Sequence, residues 1–306
     1  MFSKALGKSL SKKEYEVSDP AQASGKSLSK RENTGASASV AVFVLVSIVG
    51  LVWYANPANG QAITEGLISY WPCDKATIEG DTVKDVWGGQ DATMMGNPEI
   101  IAGKVGDALA FDGVSDWLLV SDDINAVKIP TKEITLEAWV YPEHFIEWGG
   151  YLSCFQDNGE FEKGWTLGTN NQVSFAVSTE GGNRDGDGEL DYITVGVLDT
   201  DQWYHVLGVY NGDTIEVYIN GELKATSGLH SGDILYPPNA FLTIGIYKDD
   251  NEHFPHKGKI DEVRLYEKAL TEDEVLQNYE AEGLLSVNPA GKLGFTWGEI
   301  KASTRR

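Results

Sequence analysis

From residue 66 to residue 266 the sequence is a succession of short β-branched and aromatic runs, each closed by Gly, Asn or Asp. Such runs read as strands. They cover 67–72, 108–112, 117–121, 133–141, 151–155, 165–169, 173–178, 192–197, 203–210, 214–220, 222–227, 241–247 and 259–266. Many alternate as a half-buried strand does. In TIEVYIN, Ile215, Val217 and Ile219 point one way while Thr214, Glu216 and Tyr218 point the other. Asn211-Gly212-Asp213 and Asn220-Gly221 each separate two runs, which is a hairpin signal. A single helix is predicted near the end, capped by Thr271 with Glu274 three residues on and stopped by Gly283. So many strands and one late helix in about 220 residues predict an all-β fold, a two-sheet antiparallel sandwich.

Upstream of this body the chain changes character. Residues 1–38 are rich in Ser, Lys, Gly and Ala, repeat GKSLSK at 7–12 and 25–30, and read as a disordered cytoplasmic leader. Residues 39–56 contain VAVFVLVSIVGLVWYA (40–55), a stretch without charge. With Ala36–Ser39 it reaches 20 residues, enough to span the ~30 Å of bilayer hydrocarbon. Lys26, Lys30 and Arg31 precede it and the next charge is Glu65, so the positive-inside rule places the body outside the cytoplasm. The segment reads either as a transmembrane anchor through residues 40–55 or as a signal helix cut after Ala62, where Gly60 and Ala62 supply the small residues of a cleavage site. The body is accordingly expected to be membrane-anchored and outward-facing, or secreted. Cys73 and Cys154 then lie in an oxidising compartment. They read either as a disulfide closing a loop of about 80 residues or as two buried thiols that never meet.

Charge narrows the function. The chain holds 24 Lys+Arg against 46 Asp+Glu, a formal −22. Residues 63–283 carry 13 basic and 41 acidic side chains, net −28, between two ends of +3 each. A nucleic-acid surface needs a basic footprint, so nucleic acid is excluded as a partner. Cations, neutral sugars or basic proteins remain.

The segments GKVGDALAFDG (103–113), ITLEAWVYP (134–142), QWYHVLGVYNGDTIEVYINGEL (202–223), FLTIG (241–245) and GKIDEVRLYEKALTEDEV (258–275) resemble, in order, the laminin-G-like, concanavalin A-type jelly-roll domain of secreted bacterial proteins. The resemblance runs from Gly66 to Glu282, which makes 63–283 one domain and 284–306 a tail. It implies a jelly roll, a fold that hosts lectins, glycosidases and adhesion modules alike. Glucanases of this fold carry Glu-x-Asp-x-x-Glu. Here Glu189-Leu190-Asp191 begins that spacing, but Thr194 occupies the last position, and no Gly-x-Ser-x-Gly elbow occurs. A non-catalytic protein is therefore expected. The resemblance also implies a structural Ca²⁺ tying the first strand to the last, with ligands at Asp74, at Asp112 and Gly113, and at Asp261. The alternative is that Asp112 and Asp261 make turn and capping hydrogen bonds without metal.

Two loops carry further candidates. Asn183, Asp185 and Asp187 followed by Gly188 imitate the start of a calcium loop, but Thr194 stands where its bidentate Glu belongs, and a solvated acidic hairpin tip is the simpler reading. Lys248–Lys257 holds Asp249, Asp250, Glu252, His253 and His256 without any zinc spacing, and reads as a ligand-contacting loop. Sugar platforms require aromatics at loops and strand ends, which Trp87, Trp148, Tyr151, Trp165, Tyr247 and Phe254 supply. Trp139 and Trp203 sit in strongly patterned strands and are assigned to the core. The expected ligand-binding residues are Trp148, Tyr247, His253 and Phe254. The expected function is an exported module binding glycans or glycoconjugates with one Ca²⁺, or an adhesion or cell-envelope module contacting other surface proteins.

Overall fold

The computed structural model describes residues 61–157, 162–182, 190–196 and 198–281. The leader (1–38), the membrane or signal segment (39–56), the tail (284–306) and most of the acidic loop 183–191 lie outside the described residues. Among those described, no helix is long and apolar enough to cross a membrane.

The alternating runs assemble into two sheets whose neighbouring strands are antiparallel. Sheet one contains β1 (Leu67–Trp71), β5 (Glu99–Ala102), β6 (Asp107–Asp112), β8 (Ile134–His144), β13 (Tyr204–Tyr210), β14 (Ile215–Ile219), β15 (Glu222–Ser227) and β19 (Lys257–Tyr266). Their order is β15-β14-β13-β8-β19-β6-β5, and β1 also pairs with β19. Sheet two contains β2 (Ile78–Glu79), β3 (Thr82–Val83), β4 (Ala92–Met95), β7 (Trp117–Ser121), β9 (Glu147–Gln156), β10 (Lys163–Asn170), β11 (Val173–Val177), β12 (Asp191–Thr194) and β16 (Phe241–Ile244), in the order β12-β11-β10-β9-β16-β7-β4-β3-β2. A small hairpin, β17 (Ile246–Lys248) with β18 (His253–Pro255), packs against β9.

The strand period of two sorts the side chains. In β8, Leu136, Ala138 and Val140 enter the core between the sheets, while Glu137 and Trp139 do not. Leu152 and Cys154 of β9, Leu167 of β10 and Phe175 of β11 meet them from sheet two. Full burial of each large apolar side chain contributes about 1.5–3 kcal/mol. Gly208 lies against the Phe175 ring, where a Cβ would collide with it. The Asn220-Gly221 turn has φ of 53° and 78°, the double positive φ that a tight hairpin between β14 and β15 demands.

The predicted capping box is present: Thr271 accepts from the Glu274 N–H at 3.3 Å, and Glu274 accepts from the Thr271 N–H at 2.9 Å. The helix, α1 (Glu272–Glu280), lays Val275 on Leu207, Val209, Tyr218 and Tyr266 of sheet one's outer face. Beneath it lies a buried ionic network. Glu137 accepts from Arg264 Nη1 at 2.7 Å, pairs with His205 Nε2 at 2.9 Å, and accepts from Asn278 Nδ2 of the helix at 2.6 Å. Arg264 also pairs with Glu262, to which the Tyr70 hydroxyl donates at 2.7 Å. Burial alone would raise the Glu137 pKa, yet Arg264, His205 and Asn278 together hold it down at about 2.

The disulfide expectation is corrected. Cys73 and Cys154 are free, fully buried thiols. Cys73 follows β1 of sheet one and turns its Sγ toward the Trp71 carbonyl at 3.7 Å, whereas Cys154 sits mid-strand in β9 of sheet two between Trp165 and Leu242. Burial pushes both thiols well above their usual range.

Candidate functional site

The outer face of sheet two gathers a cluster of aromatic rings. Alternation turns Phe155 of β9 and Ala176 of β11 away from the core, and Tyr247 of β17 folds over them. The Tyr247 ring lies 4.0 Å from that of Phe155 and 6.1 Å from that of Phe254. Trp148, at the start of β9, stands edge-on to Tyr192 at 5.2 Å and 6.2 Å from Tyr247. Its φ of 62° is a rare backbone conformation for a bulky residue, of the kind that collects at functional positions. Trp148, Tyr192 and Phe254 are half-buried, so they form the rim, while Tyr247 is buried and forms the floor.

Carboxylates border this rim. The Tyr247 hydroxyl donates to Asp157 at 2.5 Å and receives a bond from the Tyr192 hydroxyl at 3.1 Å. Burial, reinforced by the neighbouring Tyr192 and Asp157, pushes the Tyr247 phenol far up, so it stays a donor. Asp249 is fully buried and organises the rest. Its Oδ1 accepts from the Asn251 and Glu252 N–H groups at 2.8 and 2.7 Å, and its Oδ2 from the Asp157 N–H at 3.1 Å. Burial, then repulsion from Asp157 and Asp249, raises Glu252 to about 7. The arrangement presents apolar ring faces beside hydrogen-bond acceptors, the pairing that suits a ring with C–H faces and hydroxyl edges.

Of the predicted ligand residues, the structure brings together Trp148, Tyr247 and Phe254. His253 turns to the opposite side of β18 and meets Trp117 edge-on at 6.0 Å. His256 is fully buried against Tyr151 with neither ring nitrogen hydrogen-bonded, and burial lowers its pKa to about 3. The two histidines therefore do not share a site. Trp165 and Tyr151 are core residues, and Trp165 donates to the Tyr236 hydroxyl at 2.6 Å. Trp139 is buried as assigned, though against Tyr279 on the outer face of sheet one, and Trp203 is only half-buried. Tyr192 and Asp157 were absent from the sequence prediction.

The calcium ligand set divides. Asp261 and Asp74 grip the turn between β5 and β6: Asp261 Oδ2 accepts from the Lys104 and Val105 N–H groups, both at 2.9 Å, and Asp74 Oδ1 from the Asp107 N–H at 2.8 Å. Asp261 Oδ1 is buried without a hydrogen-bond partner. Burial above all, with Glu262 and Asp74 nearby, raises Asp261 to about 8 against the pull of the Val105 and Lys104 N–H groups. Both carboxylates already accept from backbone N–H groups, and the unpartnered Asp261 Oδ1 is the oxygen left to meet a hard cation. Asp112 and Gly113 do not belong there. Asp112 pairs with Lys257, four positions along β19 from Asp261, or about 13 Å away. Its Oδ1 accepts from the Val114, Ser115 and Asp116 N–H groups, the turn bonding expected without metal. Among the described residues, no three His, Cys, Asp or Glu side chains converge as a metal site.

Comparison with known proteins agrees with this architecture. The laminin G-type family described as the Concanavalin A-like lectin/glucanases superfamily matches residues 112–276. Pappalysin-1 of Mus musculus is 24% identical over 208 residues, which cover 63% of this chain and 12% of the relative's length. Domain 4 of AbnA, a GH43 extracellular arabinanase from Geobacillus stearothermophilus solved with arabinotriose, superposes with a TM-score of 0.52 at 20% identity, covering 72% of this chain and 99% of that one. Trypanosoma rangeli sialidase gives 0.53 at 18% identity over 74% of this chain and 34% of its own. At these identities the structural likeness speaks for the fold.

Proposed function

The chain belongs to the concanavalin A-like lectin/glucanase superfamily, and within it we propose a non-catalytic glycan-binding module whose ligand lies on the Trp148–Tyr192–Phe254 rim. The observation that carries this reading is the half-buried aromatic rim bordered by Asp157 and Glu252 on the outer face of sheet two. Ring faces take the C–H side of a sugar, and the carboxylates accept from its hydroxyls. Asp157, Asp249 and Glu252 crowd the site with negative charge, which disfavours acidic sugars and admits neutral or amine-bearing ones. The absence of Glu-x-Asp-x-x-Glu supports binding without hydrolysis.

Asp261, through its unpartnered Oδ1, and Asp74 would hold a structural Ca²⁺. The ion supplies positive charge where Glu262, Asp261 and Asp74 repel one another. It would thus fasten β19 to the end of β1.

A broad glycan array probed with Ca²⁺ and again with EDTA tests the reading. Binding of neutral or amino sugars, lost in Trp148→Ala, is the expected result. Silence across the array with a folded protein would overturn it in favour of protein adhesion, and hydrolysis of a bound glycan would overturn its non-catalytic part.

A further inference from the structure

The segment just ahead of β1 is built into the domain. Gln61 is exposed, but its carbonyl accepts from Gln277 Nε2 of α1 at 2.9 Å. Ala62 is only 5% exposed and shares an apolar cluster with Leu207, Val209, Tyr266 and Val275. The Ile63 N–H donates to Asn278 Oδ1 at 2.7 Å, and the Ile63 carbonyl accepts from the Tyr266 hydroxyl at 3.1 Å. Asn278 in turn donates to the buried Glu137 carboxylate at 2.6 Å. Three consecutive residues are therefore strapped between the helix and the sheet, and the strap ends on the ionic network that holds the helix down.

The bond inside this strap, Ala62–Ile63, is the one that the small residues Gly60 and Ala62 mark for processing. A peptidase must draw an extended substrate segment into its cleft and reach both faces of the scissile amide. Here one side of that amide is buried and its N–H is bonded to Asn278. We infer that Ala62–Ile63 is a processing site open only in the unfolded chain and closed once the domain has folded. Cleavage there is a hydrolysis: water adds across the amide, the C–N bond breaks, Ala62 leaves with a carboxylate and Ile63 keeps an ammonium. That ammonium retains a proton to donate to Asn278 Oδ1, one side chain from Glu137, so a chain cut before folding still fastens its new end. Processing and folding thus have a fixed order.

Amide exchange on the full chain, followed in peptides containing residues 61–66, tests the strap. The Ile63 amide is expected to exchange about 100-fold more slowly than in an unstructured peptide. Asn278→Ala should return it toward the free rate, and Gln277→Ala, which removes only the outer contact, should give a smaller loss should the first variant fail to fold. In parallel, elastase, which cuts after small residues, is added to folded protein and to protein in urea. A product beginning at Ile63 from protein in urea, and none from folded protein, is the expected result. Exchange of the Ile63 amide at the free rate, or an Ile63 product released from folded protein as fast as from protein in urea, would overturn the inference.

Discussion

The two outer faces of the sandwich follow the same alternation and reach opposite ends. On sheet one the outward Glu137 is buried under α1, where the Arg264 guanidinium pairs with it and His205 and Asn278 hydrogen-bond to it. Beside sheet two, Asp157 just past β9 and Asp249 and Glu252 in the β17–β18 loop gather at a half-open aromatic rim, and Glu252 is pushed up to about 7 by burial and by the other two. On the covered face the Glu137 carboxylate already has its cation and its hydrogen-bond donors. A face whose carboxyls still repel one another has free energy to gain from something that donates hydrogen bonds or positive charge.

The comparison can be broken most forcefully at Arg264. Arg264→Met leaves Glu137 and Glu262 buried without their cation, and urea unfolding should show a loss of about 3–5 kcal/mol. Acid should act in the same place. Because the Glu137 pKa falls from 4.5 to about 2 on folding, its stabilisation is complete above the upper value and drains away as pH falls through the lower one. Glu137→Gln should flatten that acid limb of a pH–stability curve.

Calcium at 100 times its dissociation constant should add about 2.7 kcal/mol, read as a Tm shift that EDTA reverses and Asp261→Asn abolishes. A wild-type Tm indifferent to EDTA would remove the metal. On the open face, Trp148→Ala should weaken glycan binding by about 2 kcal/mol, measured by calorimetry, while the unfolding midpoint barely moves. The smallest effect expected is a rise in affinity between pH 6 and pH 8 as Glu252 ionises and becomes a pure acceptor. Glu252→Gln should make affinity level across that range.

Sequence made the sandwich readable because long strands such as β8 and β13 repeat their alternation often enough to declare a buried side. β2 to β5, at two to four residues each, are too short to do so, and none of them was predicted. The rim was readable by residue type but not by phase. His253 and Phe254 are neighbours in β18 and necessarily face opposite ways, yet only the fold says which meets Tyr247. Tyr192 carried a usable signal, since Ile193 beside it enters the main core and alternation puts Tyr192 on the other side. Asp112 misled for a different reason: the strand register, which no local motif specifies, separates it from Asp261.

The position of β19 has a kinetic consequence. It is made last of the strands among the described residues, yet it lies between β8 and β6 and also carries β1. Until residues 257–266 are available, β1, β5 and β6 have no ladder joining them to the rest of sheet one. The earlier strands must wait, with their apolar faces uncovered, for a partner nearly 200 positions away from β1 in sequence. Non-local pairing of this kind closes slowly. The ladder of sheet one is therefore completed late, and a polypeptide stopped short of β19 should remain a substrate for chaperones and proteases.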